Sequence, residues 1–438
     1  MNWDEPKKKG WLNARVLAWS VYDIGATIFS MAVISRCLGP WIVGEHHGSV
    51  LDYNVAVSVS MVLAGVVQIL LSPISDEWGR RRVFIVSFTL ISAAACAAMG
   101  GARGLKDALL WFVLANMAFQ TALVFYYAML GDISDERHKS RIAGIGVGLG
   151  YVGSIVGIFL VGRYANVSQG VYSPIFWPVA KAMVLFALPL FFFVRERSGF
   201  IHFNFAQSLQ NSVPAFLTTL RRVISHPEML YFFIGSLLAL DALMTVTVNM
   251  SLYAQGVVGL DPLQDLSLPL IWKGKKLFDY PFSELNAFLI FSTSFAIIGA
   301  PIIGHIADKI GRYRMLQAVV LLWVFALTLA MFSVQRKLFW VTGAFFGVAF
   351  GGMWTASRSY LLDLCHPEER GQMFAIYGLV GKGAALIGPL TWGLVFQFAN
   401  PYFGERKAYR LCLAAILFLT VCGFFILRKA KPKQAPTY

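Results

Sequence analysis

Four ionisable side chains interrupt long apolar stretches of this 438-residue chain: Asp23, Asp241, Arg358 and Lys382. A charge inside a membrane-spanning helix costs roughly 3 kcal/mol, so each of these residues calls for an explanation. A carboxylate binds an ammonium group, and an arginine or lysine binds a carboxylate. The four side chains therefore predict recognition of a zwitterion, with Asp23 or Asp241 as an alternative carrier of a coupling proton. A purely structural interpretation also stands, in which Asp23, Lys382 and Arg358 neutralise one another between helices.

Uncharged polar and aromatic residues in the same stretches could hydrogen-bond a cargo molecule. Ordinary packing explains each of them equally well, because polar side chains also bind one another across membrane helices. The candidates are Tyr22, Asn116, Gln120, Tyr126, Tyr127, Asn249 and Trp354.

The elements that must position these residues are apolar runs of about 20 residues, long enough to cross a hydrocarbon core of roughly 30 Å as helices. Hydrophobic residues make up 57% of the chain and charged residues only 14%, whereas soluble domains carry roughly 25% charge. The sequence therefore predicts an all-α membrane protein with twelve transmembrane helices. We number these spans 1 to 12 and predict them at 14–36, 52–75, 83–102, 107–130, 142–162, 173–194, 228–255, 284–307, 315–334, 338–362, 373–397 and 408–427.

A short basic turn occurs twice between apolar runs. The first copy, SPISDEWGRRR, begins at Ser72, and the second, GHIADKIGRYR, begins at Gly304, an offset of 304 − 72 = 232 residues. Asp132 and Asp363, which each end an apolar run, are offset by 363 − 132 = 231 residues. Such duplication is characteristic of secondary transporters. We expect a first six-helix bundle at 1–195, a cytoplasmic linker at 196–227 and a second six-helix bundle at 228–438.

The duplicated turns also predict a latch on the cytoplasmic side. An aspartate in each turn can cap a helix or bind a cation, and a glycine permits a tight turn. The arginines of the turns, Arg82 among them, can pair with the aspartates that end spans 4 and 10, and inward opening would break these bonds. The alternative is that the charges only set the topology. The candidate latch residues are Asp76, Gly79, Arg80, Arg81, Asp132, Arg141, Asp308, Gly311, Arg312, Asp363 and Arg370.

The net charge of +14 is distributed unevenly along the chain. With twelve spans, both termini and all the basic turns lie on one side, and the positive-inside rule assigns that side to the cytoplasm. We expect the excess charge to meet anionic lipid head groups, and we predict no nucleic-acid partner.

The duplicated turn resembles the loop between helices 2 and 3 of the major facilitator superfamily, G-x-x-x-D-x-x-G-R-x-R/K, although Ser72 replaces the first glycine in one copy. Further segments are similar to the vacuole effluxer family of that superfamily, typified by autophagy-related protein 22 of fungi. These segments lie at 19–29, 125–133, 144–154, 188–197, 357–359 and 374–382. The resemblance implies two bundles that rock about a central site, lined by spans 1, 4, 7 and 10 and open to one side at a time.

The resemblance also suggests a cargo. The fungal type member is associated with efflux of amino acids from the vacuole, so we expect export of a small polar metabolite such as an amino acid, by uniport or coupled to protons. The compact length is similar to the bacterial members, so we expect a location in a bacterial cytoplasmic membrane. We also expect a monomer. A sugar, a short peptide, an organic cation or a drug stays open as cargo, as do a lysophospholipid flippase-like transporter and a transporter-like receptor.

We predict no enzymatic activity, no metal and no cofactor. The glycine-rich stretch at 144–150 lies inside an apolar run, without the βαβ context that a dinucleotide site needs.

Overall fold

The computed structural model describes residues 11–166, 169–194, 204–260, 266–272, 275–282, 284–333 and 335–431. Within these residues, twelve helices are long and apolar enough to cross a membrane, which confirms the predicted fold class. The described ends of the chain lie beside the basic turns: the Arg141 guanidinium lies over the Trp11 ring, and the Tyr313 hydroxyl donates to the Arg428 carbonyl oxygen. The spans are Ala14–Glu45, Leu51–Trp78, Arg81–Met99, Leu105–Ile133, Lys139–Tyr164, Ser173–Phe193, Pro227–Met250, Glu284–Ile310, Arg312–Phe332, Arg336–Leu364, Pro367–Phe403 and Glu405–Ala430.

Span 1 is longer than its sequence predicts. The predicted span ends at residue 36, but the helix continues to Glu45 through π-helical segments at Ser30–Cys37 and Trp41–Glu45. The continuation is stabilised by burial, since the side chains of Leu38 and Trp41 are fully covered.

Glycines end the spans that precede the two basic turns. Span 2 stops at Gly79, with φ of 68°, and span 8 stops before Gly311, with φ of 99°. A side chain strains the backbone at positive φ, so both turns need glycine at this position.

Helix packing follows the chain order in two groups of six. Spans 1 to 6 pack on one another, spans 7 to 12 do likewise, and the groups meet mainly where span 5 contacts span 8 and span 2 contacts span 11. Gly144 and Gly148 of span 5 let the two backbones approach, because an added Cβ would lie 2.4 Å from the Ala300 carbonyl oxygen and 2.8 Å from that of Ile297. The bundle boundaries at 1–195 and 228–438 remain predictions.

A helix at Phe205–Ser225 occupies most of the predicted linker, and we call it the linker helix. It contacts span 2, span 7 and span 11. The first residues of the predicted linker, up to residue 203, lie outside the described residues.

An antiparallel β-hairpin, formed by Leu266–Trp272 and Lys275–Phe282, joins spans 7 and 8. The mixed charges and prolines at 257–284 predict either a solvated loop, which the sequence favours, or an ordered cap, and the structure shows strands rather than an irregular loop at the hairpin residues. The missed signal is the alternation of Leu266, Leu268 and Leu270 with Ser267 and Pro269, which has the period of a strand.

Candidate functional site

A buried arginine lies where the two groups of spans meet. The Arg358 guanidinium carbon of span 10 lies 3.6 Å from the ring centroid of Tyr127, on span 4, and 4.7 Å from that of Trp354, one turn earlier on span 10. The residue is 8% exposed. Aromatic faces attract a guanidinium, so rings from both halves fix its position.

Asp23 of span 1 belongs to the same site. It is buried, and the positive charge of Arg358 acts on its carboxylate. Gly150 of span 5 leaves room for it, because an added Cβ would lie 2.5 Å from Asp23 Oδ2. Within the described residues no direct ion pair joins Asp23 to Arg358. The site therefore holds a carboxylate from one half and a guanidinium from the other half that are not in direct contact.

Aromatic rings from spans 1 and 4 form the wall beside Asp23. The Tyr126 ring stacks on Trp19 with centroids 4.6 Å apart and meets Tyr22 at 4.7 Å. Trp19 Nε1 donates to the Tyr126 carbonyl oxygen at 3.0 Å, and the Tyr22 hydroxyl lies 2.8 Å from Thr89 Oγ1. These bonds fix the wall, while the buried Tyr126 hydroxyl has no hydrogen-bond partner among the described residues.

Two further tyrosines reach the site and were missed by sequence reasoning. Tyr151 of span 5 and Tyr377 of span 11 both lie within electrostatic range of Arg358. The Tyr377 hydroxyl donates to Ser357 Oγ at 2.7 Å. A tyrosine in an apolar run carries no charge cost, so the only sequence signal was that Tyr151 and Tyr377 lie in the family-like segments at 144–154 and 374–382.

Lys382 binds a different partner from Asp23 and Arg358. Its Nζ donates to Gln68 Oε1 of span 2 at 2.8 Å, and Gln68 Nε2 donates to the backbone carbonyl of Gln120 at 2.8 Å. Lys382 therefore ties span 11 to spans 2 and 4. Asn116 is engaged in the same way inside the first half, where its Nδ2 donates to Ser60 Oγ at 2.7 Å.

Asp241 begins a buried polar row on span 7. Thr245 and Asn249 follow at four-residue spacing, and Asn249 Nδ2 donates to the Thr245 carbonyl at 3.2 Å. The row packs against Gly388 of span 11, where an added Cβ would lie 2.6 Å from Asp241 Oδ1. Asp241 thus lies between two spans of the second half.

The side of the protein that carries both basic turns, which we call the turn face, holds a first charged cluster. Asp76, whose side chain is 2% exposed, accepts hydrogen bonds from Arg81 at 2.6 Å and from the backbone N–H groups of Gly371 at 2.8 Å and Gln372 at 3.0 Å. Asp132 accepts from both Arg81 and Arg370. Asp76 therefore caps the N-terminal end of span 11, where the helix dipole favours a negative charge.

A second cluster repeats this arrangement with the halves exchanged. Asp308, 1% exposed, accepts from the backbone N–H groups of Ser140 at 3.1 Å and Arg141 at 3.0 Å, at the start of span 5. Arg312 donates to Asp363 at 2.5 Å and to the Glu136 carbonyl oxygen. The Arg141 guanidinium lies over Trp11, and its Nε is 3.8 Å from Asp308. Each aspartate thus crosses to the opposite half.

The structure corrects the predicted pairing of two arginines. Within the described residues Arg80 pairs with neither aspartate; its guanidinium lies 5.3 Å from the Trp78 ring centroid. Arg82 donates to the carbonyls of Phe191 and Val194 at the end of span 6. The reason is helix phase: span 3 begins at Arg81, so Arg81 turns toward Asp132.

Twelve spans in two equivalent halves, with a charged site between them and paired clusters at one face, define a membrane transporter of the major facilitator type. The crystal structure of the human organic anion transporter MFSD10 (TETRAN) has the same fold, with a TM-score of 0.66 and 14% identity, and the match covers 94% of this chain and 99% of that one.

The chain belongs to the family described as "Vacuole effluxer Atg22 like", which matches residues 35–435. The MFS-type transporter YxiO of Bacillus subtilis is 22% identical over 431 residues, 93% of this chain and 94% of that protein. Autophagy-related protein 22-1 of Aspergillus fumigatus is 22% identical over 294 residues, 64% of this chain and 47% of the fungal protein. The chain therefore aligns with about half the length of that fungal relative, and these proteins are transporters rather than enzymes.

Proposed function

We propose that this transporter carries a small zwitterion such as an amino acid, and that it exports it. The observation that supports this cargo most directly is the placement of Asp23 and Arg358 on opposite halves of one buried site. Arg358 binds the carboxylate of the cargo through its guanidinium, and Asp23 binds the ammonium group.

The two contacts also connect binding to movement. Asp23 belongs to span 1 and Arg358 to span 10, so a bound zwitterion bridges the two halves. The bridge satisfies two buried charges that otherwise face a largely apolar surrounding, and it favours closure around the cargo. Stacked rings such as Tyr126 on Trp19 supply a preformed wall for that closure.

The turn face is the cytoplasmic gate in this proposal. Asp76 and Asp308 cap helices of the opposite half, and Arg370 and Arg312 add bonds across the same boundary. These bonds hold the cytoplasmic side closed, and export requires them to break so that cargo can enter from the cytoplasm. Both termini are then cytoplasmic, in agreement with the excess of basic residues on that side.

The bacterial relatives support a bacterial inner membrane as the location. We further propose that the chain works as a monomer, and that Asp23 or Asp241 carries a proton if transport is coupled. Uptake into proteoliposomes with and without an imposed pH gradient tests the coupling, because the uptake rate of a uniporter does not depend on the proton gradient.

A ligand-binding experiment tests the cargo. Thermal unfolding of the purified protein is followed with zwitterionic amino acids, sugars, organic cations and lysolipids, since a ligand that binds the folded state raises the apparent Tm. We expect a shift with amino acids that Asp23→Asn and Arg358→Lys both abolish, because lysine lacks the planar guanidinium that binds a carboxylate in two places. A shift confined to cations or lysolipids would replace the amino-acid proposal with that cargo.

An organic anion is the second candidate, and two observations favour it. Arg358 Nε has no hydrogen-bond partner among the described residues, and the structurally similar human protein is described as an organic anion transporter. Asp23→Asn separates the two proposals, because it removes the ammonium partner of a zwitterion but leaves an anion site intact or stronger.

A further inference from the structure

The linker helix, Phe205–Ser225, presents three lengthwise sectors. One sector is buried against the protein, one is exposed and apolar, and one is exposed and polar. The buried sector consists of Ser208, Ser212, Phe216, Thr219 and Val223. The exposed apolar sector consists of Leu209, Val213, Leu217 and Ile224. The exposed polar sector consists of Gln207, Gln210, Asn211, Thr218 and Arg221.

Hydrogen bonds fix the buried sector on both halves of the protein. Ser208 Oγ donates to Glu77 at the end of span 2, and Thr219 Oγ1 donates to Gln372 at the start of span 11, both at 2.7 Å. Eleven residues separate Ser208 from Thr219, which corresponds to about 16 Å along a helix. The linker helix therefore runs across the turn-face ends of two different spans.

The distribution of side chains is the reverse of that in a helix on a water-soluble protein. Three of the five buried residues are serine or threonine, whereas Leu209, Val213, Leu217 and Ile224 are 40%, 44%, 45% and 58% exposed. A surface helix surrounded by water normally turns its apolar stripe inward. The outward apolar stripe therefore needs a non-aqueous neighbour.

The position of the helix identifies that neighbour as lipid. Spans 2 and 11, on which the linker helix lies, themselves expose Val62, Val66, Leu386 and Leu390, as helices in contact with lipid do. A helix at the ends of such spans, with an apolar flank on one side and Arg221 on the polar flank, has the pattern of an interfacial helix.

We propose that the linker helix lies in the leaflet at the turn face. Its apolar sector inserts at the boundary between head groups and acyl chains, its buried sector stays on spans 2 and 11, and its polar sector faces water. The leaflet thereby fixes the position of a helix that is hydrogen-bonded to both halves beside Asp76. This proposal does not depend on which cargo the transporter carries.

Accessibility of spin labels tests the proposal on the full-length protein in phospholipid nanodiscs. Single cysteines replace Val213 or Leu217 in the apolar sector, with Asn211→Cys and Thr218→Cys in the polar sector as matched controls, about 100° or more round the helix. Each is labelled with a nitroxide, and collisions with oxygen, which partitions into lipid, are compared with collisions with a water-soluble nickel chelate. The wild-type chain is labelled in parallel to subtract any signal from its own cysteines, of which four are buried and Cys422 is half-buried.

We expect an oxygen-to-nickel collision ratio at 213 and 217 that is several-fold higher than at 211 and 218. High nickel accessibility at all four positions would place the helix in water and overturn the proposal. Low accessibility to both reagents at 213 and 217 would also overturn it, because protein rather than lipid would then cover the stripe. A variant counts only if it elutes as one species with a wild-type Tm.

Discussion

Replacing Asp76 by alanine tests the closed turn face. Two of the three hydrogen bonds that Asp76 accepts come from Gly371 and Gln372 of the opposite half. A hydrogen bond to a charged group is worth roughly 1.5 to 3 kcal/mol. Taking the lower value for each bond, Asp76→Ala shifts the equilibrium by about 3 kcal/mol toward a state in which the turn face is open, which is a factor of about 100.

The assay is an electron–electron distance measurement between two spin labels. One label replaces Asp135, in the loop between spans 4 and 5, and the other replaces Glu368, in the first turn of span 11; both are exposed and belong to opposite halves. We expect a single short distance in the parent protein and a substantial longer-distance population in Asp76→Ala. We expect Asp76→Asn, which keeps one acceptor oxygen, to show a longer-distance population between those of the parent protein and Asp76→Ala.

Two variants serve as comparison. Asp308→Ala removes the equivalent contacts with Ser140 and Arg141 and is expected to act in the same direction. Asp107→Ala removes an exposed acid from the first turn of span 4, at the opposite face, and is expected to leave the distances unchanged. A distance distribution in Asp76→Ala that matches that of Asp107→Ala would refute the gate.

Two other substitutions probe the central site. Gly150→Ala places a methyl group against the Asp23 carboxylate, and we expect it to weaken amino-acid binding about tenfold or more, because overpacking typically costs about 1 to 3 kcal/mol. Gly393→Ala is the control, since an added Cβ there meets open space. Equal Kd values for the two variants, measured by calorimetry, would count against the site. Lys382→Met removes the hydrogen bond to Gln68 but leaves Arg358 in place. We therefore expect the Kd for the amino acid to stay within about twofold of the wild-type value while the Tm falls. A large loss of affinity would instead assign the binding of the cargo carboxylate to Lys382.

Much of the fold follows from the sequence because a membrane imposes a length and an apolar composition on every span. The exceptions have specific physical causes. Span 1 continues past Arg36 and Pro40 because burial of Leu38 and Trp41 stabilises a π-helical segment, which no hydropathy pattern shows.

Pairing across helices was harder to predict, since it depends on helix phase. The two turns align at the glycines with an offset of 311 − 79 = 232, but span 3 begins at Arg81 and span 9 at Arg312, an offset of 312 − 81 = 231. One extra residue, Arg80, lies before span 3, so Arg81 is the structural equivalent of Arg312. The same dependence on three-dimensional placement explains why Lys382 meets Gln68.

Counterflow into proteoliposomes tests the central claim, that Asp23 and Arg358 together bind a zwitterion. The cargoes compared are an amino acid, the amine that lacks its carboxylate and the acid that lacks its ammonium group. We predict that the wild type prefers the amino acid, that Arg358→Ala loses this preference over the amine, and that Asp23→Asn loses it over the acid. Full amino-acid counterflow in either variant, with the preference of the wild type, would contradict the account.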